Sequence, residues 1–194
     1  VQVTDGAIPV NQTITVTVTN VNEAPNITSG DFTVAENTTA AGAVTASDPD
    51  AGTTLTYSII AGADQARFSI NATTGALTFN AAPNFEAPTD AGANNVYDVV
   101  VQVTDGAIPV NQTMTVTVTN VNEAPMATNG ALTTAEDTAT TGTLTATDVD
   151  SPGLTFSLVN TSNAHGDVFI TNASIGAYSF NPAVNFNGPA SFTF

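Results

Sequence analysis

Apolar and polar residues alternate with a period of two along most of this chain, and no segment sustains the 3.6-residue apolar period of a helix. Ile14, Val16 and Val18 alternate with threonines, and so do Met114, Val116 and Val118. Branched side chains of this kind suit a pleated, half-buried surface. Between residues 26 and 120 the alternation predicts strands at 32–35, 43–47, 55–60, 68–71, 76–79, 96–103 and 113–119. Turn-forming runs separate them, such as Asp48-Pro49-Asp50-Ala51-Gly52 and Asn71-Ala72-Thr73-Thr74-Gly75. About seven short strands in about 100 residues predict an antiparallel β-sandwich with little helix. Its inward positions would be Leu55, Tyr57, Ile59, Phe68, Ile70, Leu77, Phe79, Tyr97, Val99, Val101, Val103, Val116 and Val118.

The pattern also recurs at long range. VQVTDGAIPVNQTITVTVTNVNEAP at 1–25 returns at 101–125 with a single change, Ile14 to Met114. Self-similarity one domain apart marks an array of modules. The expected organisation is residues 1–20 as the last two strands of an upstream module, 21–25 as linker, 26–120 as a complete module, 121–125 as linker, and 126–194 as a related module lacking its last two strands. Gly130, Glu136, Gly142, Asp148 and Asp150 sit one hundred residues after Gly30, Glu36, Gly42, Asp48 and Asp50. A shift of one then sets Phe169, Asn172, Gly176, Phe180 and Phe186 under Phe68, Asn71, Gly75, Phe79 and Phe85.

Composition narrows the function. Of 194 residues 42% are hydrophobic, enough for sizeable cores, whereas only 9% are charged, against roughly 25% in ordinary domains. Seventeen acids face one base, Arg67, for a net charge of −16. Such a chain cannot displace counterions from nucleic acid and is repelled by anionic membrane surfaces. It also repels itself unless cations intervene. There is no cysteine for a disulfide or a thiolate site, and no apolar run approaches the ~20 residues of a membrane span. The chain opens in mid-strand, which reads as a piece of a longer protein with its targeting signals elsewhere.

No catalytic constellation is present. His165, the single histidine, lies in a loop-like stretch, and no phosphate loop, nucleophile elbow or zinc-protease motif occurs. The expectation is therefore a non-enzymatic protein. The acids, by contrast, cluster at turns and linkers: Asp48 and Asp50, Asp148 and Asp150, and Asn-Val-Asn-Glu at 20–23 and 120–123. Asp and Asn are common turn formers. They are also the oxygen donors of which Ca²⁺ takes about six to eight, with nothing soft among them.

In their order along residues 26–125, Val34-Ala35-Glu36-Asn37, Ala46-Ser47-Asp48-Pro49-Asp50, Leu55-Thr56-Tyr57-Ser58-Ile59, Phe68-Ser69-Ile70 with Thr74-Gly75, Asn84-Phe85-Glu86, Val103-Thr104-Asp105-Gly106 and Asn120-Val121-Asn122-Glu123-Ala124-Pro125 resemble a bacterial cadherin-like tandem repeat. The resemblance implies tandem Ig-like, cadherin-like β-sandwiches with Ca²⁺ bound between consecutive modules. Carried over by position, it implies Glu36, Glu86, Asn120, Asn122, Glu123, Asp148 and Asp150 for the junction after the complete module. It implies Asn20, Asn22, Glu23, Asp48, Asp50 and Asp105 for the one before, and Asp5 for one further upstream. The linker is one residue shorter than the family's usual Asp-x-Asn-Asp-Asn-Ala-Pro, with Asn120 replacing its first aspartate and lowering the ligand charge. Asn187 stands where Glu86 does in the complete module.

The function expected is a calcium-stiffened structural or adhesive repeat of a long, bacterial, secreted or cell-surface protein. Its partners would be neighbouring repeats. Two alternatives remain open: a strand-exchanging subunit of an extracellular filament, in which residues 1–20 complete the unfinished module of another copy, and a glycan- or protein-binding domain on the same scaffold.

Overall fold

A computed structural model describes all residues, Val1–Phe194, and the chain divides into two compact units, Val1–Thr119 and Asn120–Phe194. The architecture is all-β. Its one helical element is a 3-10 turn at Gln65–Arg67, and no helix is long and apolar enough to cross a membrane.

The first unit begins with a hairpin, β1 (Gln2–Thr4) and β2 (Pro9–Asn11), paired only with itself. Residues 12–20, expected as a second strand, form none, and every residue of the stretch 1–20 is exposed. A strand needs a neighbour for its backbone groups and a core for its apolar face.

The sandwich follows. β3 (Asn26–Ile27), β4 (Phe32–Ala35), β5 (Ala40–Ala43), β6 (Ala46–Ser47), β7 (Thr56–Ala61), β8 (Phe68–Ile70), β9 (Ala76–Phe79), β10 (Val96–Thr104) and β11 (Pro109–Thr119) run in chain order. One sheet has the order β4-β11-β10-β7, with β4 parallel to β11 and the other pairs antiparallel. Facing it are β5-β9-β8 and the short pair β3-β6. The strand expected at 43–47 is split in two. Val44 turns inward between the halves, its amide donating to the Gly75 carbonyl at 2.9 Å. Gly75 has φ +69°, and a Cβ there would lie 2.2 Å from the Val44 oxygen, so both backbone conformation and close approach require glycine.

The core between the sheets holds Tyr57, Phe68, Leu77, Phe79, Tyr97, Val99, Val101, Val103, Val116 and Val118, all expected inward, joined by Met114, Val44 and Ala41. Leu55, Ile59 and Ile70 pack at its margin, partly buried. Each fully buried side chain of this size contributes about 1.5–3 kcal/mol. Phe79 meets Tyr97 edge-on, ring centres 5.1 Å apart.

The second unit holds β12 (Met126–Thr128), β13 (Thr140–Thr143), β14 (Thr145–Thr147), β15 (Gly166–Asn172) and β16 (Ala177–Pro182). β13-β16-β15 reproduces β5-β9-β8, and β12-β14 reproduces β3-β6. The amide of Leu144 donates to Gly176 as Val44 does to Gly75, and Phe156 to Ala173 as Tyr57 does to Ala72. The core is thin: Leu144, Ala164, Val168 and Tyr178. One correction to the internal alignment emerges. Val168 faces Phe180 as Phe68 faces Phe79, and the register slips between Ile170 and Asn172. The extra residue is therefore Thr171 in a bulge, and Phe169, set under Phe68 by the sequence, points out to solvent.

Candidate metal centre

Three loops of the first unit converge on one cluster of oxygens. The first follows β6. Asp48 Oδ1 accepts the Asp50 amide at 2.8 Å and the Thr53 hydroxyl at 3.4 Å, an Asx-type turn around Pro49, which has no N–H to satisfy. Asp50 is thereby turned toward residues 20–23. Its Oδ2 accepts the Glu23 amide at 3.0 Å, and its Oδ1 accepts the Asn20 side-chain amide at 2.5 Å. The third loop joins β10 to β11. Asp105 Oδ1 accepts the amides of Ala107 and Ile108 at 2.7 and 2.6 Å, leaving Oδ2 for the side-chain amide of Asn22 at 2.7 Å.

All six residues of the predicted first set, Asn20, Asn22, Glu23, Asp48, Asp50 and Asp105, thus lie together. Their electrostatics follow from the crowding. Loss of water pushes the Glu23 carboxyl above the usual glutamate range, and the negative charges of Asp50 and Asp48 push it further. The Asn20 side chain, then the Glu23 amide, hold Asp50 below the usual aspartate range. The Ile108 amide, then Asn22 and the Ala107 amide, do the same for Asp105. One atom stands apart: Asp48 Oδ2 is buried and has no hydrogen-bond partner. An orphaned buried carboxylate oxygen is costly. Among carboxylates and reversible side-chain amides, it matches a site for a hard cation, and the donor set is all oxygen.

The second set is placed in two parts. In the second unit the first geometry recurs: Asp148 Oδ1 accepts the Asp150 amide at 2.9 Å, and Asp150 Oδ2 accepts the Glu123 amide at 2.5 Å. Asn122 Nδ2 donates to the Glu123 carbonyl, as Asn22 does to that of Glu23. Asn120 is exposed. In the first unit Glu36 is buried, 1% exposed, and its Oε2 accepts the Phe85 amide at 2.8 Å, while Glu86 beside it is exposed. Asp5 repeats the Asp105 turn, accepting the amides of Ala7 and Ile8, and these hold its carboxyl below the usual range, Ile8 foremost.

Three buried polar residues were not foreseen from the sequence. Asp64 accepts the amides of Ala91 and Asp98 at 2.7 and 2.8 Å. Asp90 accepts those of Asn94 and Asn95, and Asn95 Nδ2 donates to the Phe85 carbonyl. They fold the 85–95 loop, which carries Glu86. The signal was the dense turn chemistry of Asp90-Ala91-Gly92-Ala93-Asn94-Asn95, where Ala93 and Asn95 adopt positive φ.

The comparisons with known proteins agree with this architecture. Residues 30–121 match the sequence model of the cadherin domain, and residues 122–194 match that of the bacterial Ig domain. No curated protein sequence matches the chain. Among solved structures it is similar to human protocadherin-24 EC1-2, with 20% identity, a TM-score of 0.54, and 88% of this chain and 82% of that one covered. Protocadherin gamma B2 extracellular cadherin domains 3-6 match with 21% identity, a TM-score of 0.57, and coverage of 92% and 48%. Drosophila N-cadherin EC1-4 matches with 23% identity, a TM-score of 0.51, and coverage of 84% and 42%. At these identities the likeness is one of fold. The fold is all-β and Ig-like, and the chain is similar to the cadherin domain over residues 30–121 and to the bacterial Ig domain over residues 122–194.

Proposed function

We propose that this chain is a calcium-stiffened structural and adhesive segment of a long bacterial protein that is secreted or displayed at the cell surface. Residues 26–120 are its complete repeat. Asn20, Asn22, Glu23, Asp48, Asp50 and Asp105 hold one Ca²⁺ site. Asn120, Asn122, Glu123, Asp148 and Asp150 belong to a second. The role is mechanical and not catalytic.

The observation that carries this reading is the orphaned Asp48 Oδ2 within a cluster whose neighbouring acids already raise the Glu23 pKa. A dication supplies positive charge where carboxylates converge. The protein's part is to present them: the Asx turn aims Asp50, and the β10–β11 turn aims Asp105. Asn20 and Asn22 now point amide nitrogens at carboxylates. Turned over, the same side chains offer carbonyl oxygens.

Calorimetric titration with CaCl₂ tests the reading, alongside small-angle scattering with and without chelator. Heat of binding lost in Asp48→Asn and Asp50→Asn, and a maximum dimension that changes on chelation, are expected. No heat with the parent protein sinks the site. An unchanged dimension with intact binding sinks only the stiffening.

A further inference from the structure

We propose that a cleft in the first unit, lined by Arg67 and Tyr97, binds a single sugar residue that carries a carboxylate. Arg67 is the one basic side chain of the sequence, against seventeen acids. It ends the 3-10 turn Gln65–Arg67, is exposed to solvent, and lines a cleft of about 210 Å³ between that turn and the loop that follows β9. None of the acids lines the cleft with it. The acids close by along the chain are committed elsewhere. Asp64 binds the amides of Ala91 and Asp98 with one oxygen each, and Asp90 those of Asn94 and Asn95. The guanidinium therefore stands among neutral polar groups, and a carboxylate is its planar, bidentate match.

Those neutral groups are hydroxyls and an amide. Tyr97 is 1% exposed, and its hydroxyl meets the Thr89 amide and the Thr89 hydroxyl at 3.3 and 3.4 Å. Both contacts are longer than the ordinary range of about 2.5–3.2 Å, whereas a buried tyrosine hydroxyl usually finds a close partner. A ligand hydroxyl supplies one. Asn84 gives its Oδ1 to the Ala87 amide at 2.7 Å, which leaves its NH₂ group to donate. Hydroxyl and amide groups set among the methyls of Ala66 and Ala82 suit a ring with hydroxyls at its edge and C–H groups on its faces. The volume is below the roughly 300 Å³ at which sites for drug-sized ligands begin, so one ring is the right size. An acidic peptide would bring several charges against a chain of net charge −16.

The cleft is built before any ligand arrives. Asn80 ties the 3-10 turn to the end of β9: its amide donates to the Arg67 carbonyl at 2.8 Å, its Nδ2 to the Ala66 carbonyl at 3.0 Å, and its Oδ1 accepts the Ser69 hydroxyl at 2.6 Å. Asp64 and Asp90 fold back the loop that carries Thr89, which gives these buried acids a role outside the cation cluster. Walls fixed beforehand lose little freedom on binding. The net negative charge opposes an anion at long range, but charges beyond about 8 Å are screened at physiological salt. Contact with Arg67 decides.

Nuclear magnetic resonance titration of the isotope-labelled protein with sodium glucuronate tests the proposal, with chelator present so that the calcium site plays no part. Expected are saturable shifts at the Arg67 Nε–H, the Asn84 side-chain amide and the Thr89 amide. Arg67→Gln should weaken binding about tenfold or more, and Thr89→Val by a smaller factor. Both side chains are exposed, so each variant should melt as the parent does. Glucose, the ring without the carboxylate, and acetate, the carboxylate without the ring, should each bind about tenfold more weakly than glucuronate. Acetate that binds as tightly as glucuronate overturns the sugar assignment. Glucose that binds equally, shifts that never saturate, or an Arg67→Gln protein that binds unchanged overturns the proposal as a whole.

Discussion

Residues 1–25 and 101–125 are one sequence in two structures. In the second copy Val116 and Val118 are 0% and 1% exposed, in the middle of a four-stranded sheet; in the first, Val16 and Val18 are 77% and 90% exposed and belong to no strand. Only the tip of the hairpin is common to both: Val3 pairs Val10 as Val103 pairs Val110, Asp5 and Asp105 each accept the amides two and three residues on, and Gly6 and Gly106 share φ near +95°. The difference teaches how far local chemistry reaches. An Asp-Gly turn closes itself with hydrogen bonds inside four residues. A strand of alternating Val and Thr has no such internal bonds and takes its structure from neighbours.

The sharpest way to break the comparison is a charge. Val116→Asp buries an unpaired carboxylate in the core and is expected to unfold the sandwich built around it, with loss of the cooperative melting transition. Val16→Asp in the isolated single chain should leave melting unchanged within about 0.5 kcal/mol. The one position at which the copies differ gives the next contrast: Met114→Ala should cost about 2–5 kcal/mol by chemical denaturation, and Ile14→Ala almost nothing. Measured equality of either pair would mean that residues 1–19 find a core after all.

Calcium should act at the cluster of Asn20, Asn22, Glu23, Asp48, Asp50 and Asp105. At a hundredfold excess over the dissociation constant, one site adds about 2.7 kcal/mol to stability, visible as a raised melting temperature that Asp50→Asn removes. The smallest effect is that of pH in the presence of chelator. Glu23 is raised above its unfolded value, so its ionised form costs stability, and melting should rise slightly as pH falls through the raised folded value and level off below the unfolded one, about 4.3. Asp50 and Asp105 are depressed, so the stability they contribute is present above about pH 3.9 and lost as pH falls through their folded values. These groups are solvent-screened and the amplitudes small. Glu23→Gln should abolish the rise and leave the fall.

Much of the site was legible because its chemistry is local. The Asp-x-Asp turns and the Asn-x-Asn-Glu stretches announce oxygen donors by residue type, and in the structure Asn20, Asn22, Glu23, Asp48, Asp50 and Asp105 are linked by hydrogen bonds. Asp64, Asp90 and Asn95 were not legible. Each is an ordinary turn residue whose burial depends on a loop folding back over it from up to 34 residues away. The bulge at Thr171 escaped for a similar reason, since sequence alignment locates an inserted residue only to within a strand.

By itself the sequence determined the period of two, the all-β class, the repeat, the turns and the acidic clusters, because alternation, turn formation and charge are properties of neighbours along the chain. The tertiary structure alone decided which copy of the repeated stretch becomes two long strands inside a four-stranded sheet and which keeps only its short hairpin. Burial and ladder pairing are contacts between distant segments, and twenty-four identical residues of twenty-five carry no information about whether those segments are present.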